Sequence, residues 1–276
     1  MWSTWGVVVK KLHLSPLHIV FFTTLFSLPL ILVIALCRPV SLRQTFTGLS
    51  KNSHLLALLA LSLLLNNYFY FAAFNQTSIA IAVFSHYTAP LFVALLAPLL
   101  IAEKFDKRLL APLFISLFGL AFILAPSWHG NFSVADLKGA LCGVASGLAY
   151  AFTLIFAKRL TARLATLSLV FWQSVFIVIF LLPFYALNPL FILPASSWFL
   201  LIVVGTALCA IAPLIYLSGL SHIKAQYVAV VGYIEPLSAV FMGLFLVHEA
   251  PLLSTWLGGT AILFSGFLVT SLRNKT

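Results

Sequence analysis

Apolar residues in this chain fall in runs of about twenty, separated by short polar links. Neither the alternation of a strand nor the one-sided stripe of a surface helix organises them. A helix rising 1.5 Å per residue needs about 20 apolar residues to cross a hydrocarbon core of about 30 Å. Runs of that kind occupy residues 16–36, 54–74, 79–101, 109–126, 137–157, 165–186, 197–217, 226–247 and 252–272. A tenth, Trp2 to Leu12, reaches only about 16 Å at the same rise. The first helix is therefore expected to be short or truncated.

The composition then decides the class. Of 276 residues, 63 % are hydrophobic and 7 % are charged, where a soluble domain carries about 25 % charged residues. Five acidic and fifteen basic side chains cannot cover a water-facing surface. The net charge of +10 is scattered between apolar runs, unlike the clustered basic face of a nucleic-acid binder. A polytopic membrane protein with the lipid bilayer as its surroundings remains. Cys37, Cys142 and Cys209 lie far apart and show no ligand spacing, so neither a disulfide framework nor a metal site is expected. No cofactor is indicated, and the absence of a Walker motif removes ATP as a driver within the chain. The first twelve residues lack both a basic opening and a small-residue cleavage site, so no cleaved signal peptide is expected.

The two halves resemble each other. Shifting residues 70–103 by 146 positions pairs Tyr70 with Tyr216, Tyr87 with Tyr233, Pro90 with Pro236, Leu91 with Leu237 and Glu103 with Glu249. Near the start the offset is 148: Trp2 stands eight residues before Lys10, and Tyr150 eight before Lys158. The same shift puts the start of the first helix about ten residues ahead of Met1. The expected architecture is all-α, with ten transmembrane helices in two five-helix repeats, residues 1–126 and 137–272. An odd number of spans per repeat inverts the second relative to the first, a pattern found in transporters.

Basic residues set the orientation. With a cytoplasmic N-terminus, the inner links hold Arg38, Arg43, Lys51, Lys104, Lys107, Arg108, Lys158, Arg159, Arg163, Lys224, Arg273 and Lys275. The outer links hold Lys10, Lys11 and Lys138. Both termini are expected in the cytoplasm. The sequons at Asn75 and Asn131 carry no weight.

Several features together resemble the EamA-type transporters of the drug/metabolite transporter superfamily. They are Trp2 with Lys10, the Ser15-Pro16 opening of the second span, and the paired endings Pro90…Glu103 and Pro236…Glu249. The run Glu235-Pro236-Leu237 and the glycines Gly258, Gly259 and Gly266 of the last span fit as well. The resemblance covers the whole chain. It implies a transporter of small metabolites, usually in a bacterial inner membrane and often an exporter of amino acids or related compounds.

Glu235 is the acidic residue placed well inside a span. A central charge costs roughly 2.5–3.5 kcal/mol on insertion scales, so it usually faces a cavity or a partner. Pro236 beside it leaves a carbonyl of the preceding turn without its donor. Such a carboxylate can bind a substrate amine or a proton, or serve as a structural hydrogen-bonder. His86, in the corresponding span of the first half, is a proton-coupling group or a structural histidine; it is expected to face Glu235. Asn66 and Asn67, with Tyr70 four residues after Asn66 on one face, bond either a substrate or a neighbouring helix. Trp2 and Tyr150, placed symmetrically by the repeat, are expected to line the cavity, with Tyr216 and Tyr233 as further candidates. Trp172, Gln173, Gln226 and Tyr227 are weaker ones. The stripe Gly139, Gly143, Gly147 and Ala151 allows close backbone approach. Glu103 and Glu249 read as interfacial anchors.

The reading is a secondary transporter working by alternating access, not an enzyme. Its substrate is a small molecule, protons are a candidate coupling ion, nucleic acid is excluded, and the protein is a monomer or homodimer. The rivals are a channel or non-catalytic membrane component and, more remotely, an intramembrane enzyme.

Overall fold

The computed structural model describes residues 2–12, 14–37, 49–125, 133–186, 193–236, 238 and 253–273. All regular structure among them is helical. A 3₁₀ turn, Trp2–Thr4, leads into α1 (Trp5–Leu12). Then come α2 (Pro16–Leu36), α3 (Leu49–Gln76), α4 (Ile79–His86) and α5 (Ala89–Leu100). A second 3₁₀ turn precedes α6 (Leu110–Leu124), which is followed by α7 (Val134–Thr161) and α8 (Thr166–Ala186). The chain continues through α9 (Ala195–Val204), a π-helical turn (Gly205–Ile211), α10 (Ala212–Ser221), α11 (Ala225–Val231) and α12 (Leu253–Arg273).

Among the described residues, six stretches are long and apolar enough to cross a membrane: Pro16–Leu36, Lys51–Gln76, Ile81–Leu100, Val134–Thr161, Thr166–Phe184 and Ala195–Ser221. Leu253–Val269 is a shorter apolar helix. The outer faces are as apolar as the core. Leu99 is 78 % and Phe199 70 % exposed, which a water-soluble protein does not tolerate in quantity but a bilayer rewards. The first helix is short, eight residues in α1 against 28 in α7. Glu249, the end of the 226–247 span and the links holding Arg38, Arg43 and Asn131 lie outside the described residues.

Helix ends follow local chemistry. Pro16 opens α2, where its missing N–H removes no helical bond. Ser133 and Asp136 form a reciprocal capping box at the start of α7, and Lys158 and Arg159 sit in its last turn, against the negative end of the dipole.

Two spans depart from regular α-helix. The 79–101 span breaks at Tyr87–Thr88, between α4 and α5. Pro90 has no N–H for the His86 carbonyl four residues back, and the Leu91 amide bonds Thr88 instead at 3.0 Å. The 197–217 span contains the π turn, in which the Ala212 amide reaches back five residues to the Ala207 carbonyl.

α7 is the central helix, packing along α3, α4 and α5. The glycine stripe explains how α4 comes so close. A Cβ on Gly143 would lie 2.5 Å from Ser85 Cβ, and one on Gly147 would lie 2.7 Å from the His86 carbonyl oxygen. A Cβ on Gly139 would overlap Thr77. Polar pairs pin α3 to α7: Thr153 Oγ1 donates to Ser62 Oγ at 3.0 Å and Ser146 Oγ to Asn66 Oδ1 at 3.2 Å. α6 and α12 form a second pair, joined by Ser116 Oγ and Ser265 Oγ at 2.6 Å.

Candidate functional site

The middle of the bundle is a wall of aromatic and polar side chains drawn from six places in the chain. Trp2, Tyr70, His86, Tyr150, Tyr216 and Glu235 are each half-buried, although their contacts are with one another. This is the exposure expected of groups lining an internal space.

Trp2 is held by a backbone defect. The Leu208 carbonyl would ordinarily accept from Ala212, whose N–H goes to Ala207 in the π turn. The next donor in that register is residue 213, a proline without an N–H. Trp2 Nε1 supplies the missing bond at 2.9 Å. Its ring then meets Tyr216 edge-on at 5.2 Å, and the Tyr216 and Tyr150 hydroxyls lie 2.8 Å apart. The π register also places Gly205 against α2, where a Cβ would come within 2.5 Å of the Thr23 carbonyl oxygen.

His86, the last residue of α4, stacks on Tyr70 at 4.3 Å and meets Tyr150 at 5.6 Å. Its Nδ1 lies 2.7 Å from Ser146 Oγ, which bonds Asn66 Oδ1; Asn66 Nδ2 in turn donates to Asn67 Oδ1 at 3.3 Å.

The broken helices are tied to each other. Pro236 leaves the Gly232 carbonyl without its α-helical donor, and Glu235 N covers it at 3.0 Å. Tyr87 OH also reaches that carbonyl, at 3.5 Å, and hydrogen-bonds the Glu235 carboxylate. In return Tyr233 OH donates to the Tyr87 carbonyl at 2.7 Å. The two tyrosines that the 146-residue shift matched therefore contact each other, with ring centres 5.3 Å apart.

Glu235 sits within electrostatic reach of the phenols of Tyr70, Tyr87, Tyr150 and Tyr216. Its described hydrogen-bond partner is Tyr87, whereas His86 turns its Nδ1 to Ser146. Asn66 is buried and engaged with α7, Asn67 is half-buried, and Tyr233 is fully buried against Tyr87. Gln173 is buried on α8.

Two contributors were not legible as such. Ser146 reads as one more small residue beside Gly147; the hint was a hydroxyl on the face that also carries Tyr150, four residues on. Tyr87 was visible through the repeat but not as the partner of Glu235.

One end of the bundle is latched. Ala102 takes a left-handed φ of 54°, costly for a residue with a Cβ, and the chain beyond it turns onto α11. Glu103, read as an interfacial anchor, accepts the Ala225 amide with both oxygens at 3.1 Å. Gln226 Nε2 donates to the Lys104 carbonyl at 3.2 Å, and Tyr227 OH to Asp106 Oδ2 at 2.8 Å. Burial pushes the Asp106 carboxyl up. The Tyr227 hydroxyl, the Arg108 amide and the charges of Arg108 and Lys224 outweigh it and hold the group below the ordinary aspartate value. That contribution is present at neutral pH and is lost as the pH falls through the lowered value. Nearby, Lys158 Nζ caps the Leu220 and Ser221 carbonyls at the end of α10, at 2.8 and 3.2 Å. At the opposite end of α7, Thr77 Oγ1 donates to Asp136.

Among the described residues, no three His, Cys, Asp or Glu side chains are grouped to hold a metal.

The fold is shared with a solved crystal structure, at a TM-score of 0.81 and 19 % identity over 99 % of this chain and 95 % of the other. An uncharacterized transporter, YxxF of Bacillus subtilis (strain 168), is 26 % identical over 215 residues, 77 % of this chain and 68 % of the relative. An uncharacterized transporter of Archaeoglobus fulgidus is 28 % identical over 200 residues, 72 % of this chain and 70 % of the relative. A pseudopaline exporter, CntI of Pseudomonas aeruginosa, is 26 % identical over 196 residues, 70 % of this chain and 66 % of the relative. The family model of the EamA-like transporters matches twice, over residues 1–125 and 137–271. This multi-pass membrane protein belongs to the EamA-like transporter family.

Proposed function

We propose that the protein is a secondary transporter that exports small metabolites, amino acids among them, across a bacterial inner membrane by alternating access. The carrying observation is the central wall itself. Side chains from both halves meet mid-bundle, on helices whose regular bonding is interrupted by prolines, the usual construction of a transport site at a repeat interface. In this reading the chain forms ten helices in two inverted repeats, 1–126 and 137–272. The twofold match of the family model and the Tyr87–Tyr233 contact support it. Glu235, His86, Asn66, Asn67, Tyr70, Trp2, Tyr150, Tyr216 and Tyr233 line the site, and protons are the candidate coupling ion. The purified protein in proteoliposomes should show counterflow: unlabelled solute trapped inside should drive transient accumulation of externally added labelled solute within the vesicles. A channel would equilibrate without overshoot.

In the same reading both termini face the cytoplasm. The basic residues Lys104, Lys158, Arg163 and Lys224 belong to one end of the bundle, where residues 103–106 meet 225–227 and Lys158 meets 220–221. With the native cysteines replaced, a membrane-impermeant thiol reagent should label a cysteine at Asn131 in intact cells and spare one at Asn274. The reverse pattern would overturn the orientation.

A further inference from the structure

The hydrogen-bond chain behind His86 fixes what its ring offers. Asn66 Nδ2 donates to Asn67, so the Asn66 amide presents its carbonyl oxygen to Ser146. A carbonyl only accepts, so the single Ser146 hydroxyl proton is spent there. Ser146 Oγ must then accept from His86 at 2.7 Å, and the proton lies on Nδ1. Neutral His86 therefore carries its lone pair on Nε2.

Other groups of the wall favour positive charge. Glu235 brings a carboxyl group, and among the described residues no lysine or arginine side chain acts on it. Aromatic faces attract cations through their ring quadrupole. The Tyr150 and Tyr216 hydroxyls satisfy each other, leaving one phenol proton between them. With ring faces that attract cations, a carboxyl group and an imidazole lone pair, and with neutral phenol and amide protons as its donors, the wall suits a ligand that brings positive charge and N–H groups over one whose sole charge is a carboxylate or phosphate.

We propose that the central site binds an organic ammonium ion, with the charged nitrogen between the Glu235 carboxylate and the rings of Trp2, Tyr70, Tyr150 and Tyr216, and one N–H donated to His86 Nε2. This rests on the transporter reading and names the substrate class for the same site. A separate carboxylate on the ligand is not required for recognition.

The test uses three solutes of one shape: phenethylamine, 2-phenylethanol and 3-phenylpropanoate. Binding to the detergent-purified full chain is measured by calorimetry, with thermal stabilisation as a second readout. The amine should bind at least tenfold more tightly than the alcohol or the acid. Glu235→Gln should weaken the amine at least tenfold and bring it level with the alcohol. Equal or tighter binding of the alcohol or the acid overturns the proposal, as does full amine affinity in the Gln variant or binding of none of the three. Counterflow separates the two readings. Counterflow of the acid without the amine leaves a transporter with a different substrate class. Amine binding without counterflow of any solute upholds the site and sinks the transport reading.

Discussion

Replacing Glu235 with Gln should lower transport per folded molecule at least tenfold while leaving the amount of folded protein in the membrane nearly unchanged. The two effects separate because the substitution keeps size and an acceptor for Tyr87 but removes the charge. A tenfold loss corresponds to about 1.4 kcal/mol of interaction. That is modest for a carboxylate facing a bound amine or proton in a low-dielectric interior. The folded state gives up little, because a charge that is costly in the membrane has gone. A purely structural Glu235 predicts the opposite pattern: less folded protein, with each surviving molecule transporting normally. Uptake or efflux normalised to folded protein, measured by size-exclusion fluorescence, distinguishes the outcomes. Wild-type turnover in the Gln variant would remove Glu235 from the mechanism and leave the site to Asn66, Asn67 and the aromatic residues.

Length and apolarity made the spans legible, because a helix in lipid must satisfy its own backbone over a fixed thickness. Pro90 and Pro236 marked where helices loosen, since a missing N–H is a property of the residue itself. The repeat matched Tyr87 with Tyr233, and the structure places them in contact. What stayed hidden depends on registers between distant helices. The π turn follows from Gly205 seating on α2 and from Trp2 filling the Leu208 carbonyl; Pro213 alone permits that shift without requiring it. Ser146 becomes a polar relay only once α3 and α7 are aligned to bring Asn66 within 3.2 Å. The bond of Glu103 was hidden because its partner, the Ala225 amide, lies 122 residues further along the chain. His86 and Glu235 were expected to face each other on the basis of the repeat. The hydroxyl and amides behind His86 take its Nδ1 to α7, a contact that the repeat does not encode.

Gly147→Ala should be among the most damaging single-methyl additions available, and Gly219→Ala among the least. Both glycines lie within helices, where alanine is intrinsically favoured by roughly 0.5–1 kcal/mol. Their surroundings decide the sign. A Cβ on Gly219 meets nothing within 4 Å, so stability should stay level or rise slightly. A Cβ on Gly147 would sit 2.7 Å from the His86 carbonyl oxygen and 3.2 Å from both the Ala89 nitrogen and Thr88 Oγ1. Two of these neighbours are backbone atoms, which cannot rotate away. The carbonyl is the one that Pro90 leaves without a donor at the α4–α5 break, so α4 would have to move off α7. Overpacking of this kind costs about 1–3 kcal/mol, enough to outweigh the gain in propensity. The movement would also open the 2.7 Å contact between His86 and Ser146, one residue before the substitution, so ligand affinity should fall along with stability. Thermal unfolding in detergent, followed by intrinsic tryptophan fluorescence, should show a clear drop in midpoint for Gly147→Ala against an unchanged or raised midpoint for Gly219→Ala. Equal midpoints would mean that α4 and α7 do not approach as closely as the glycine stripe requires.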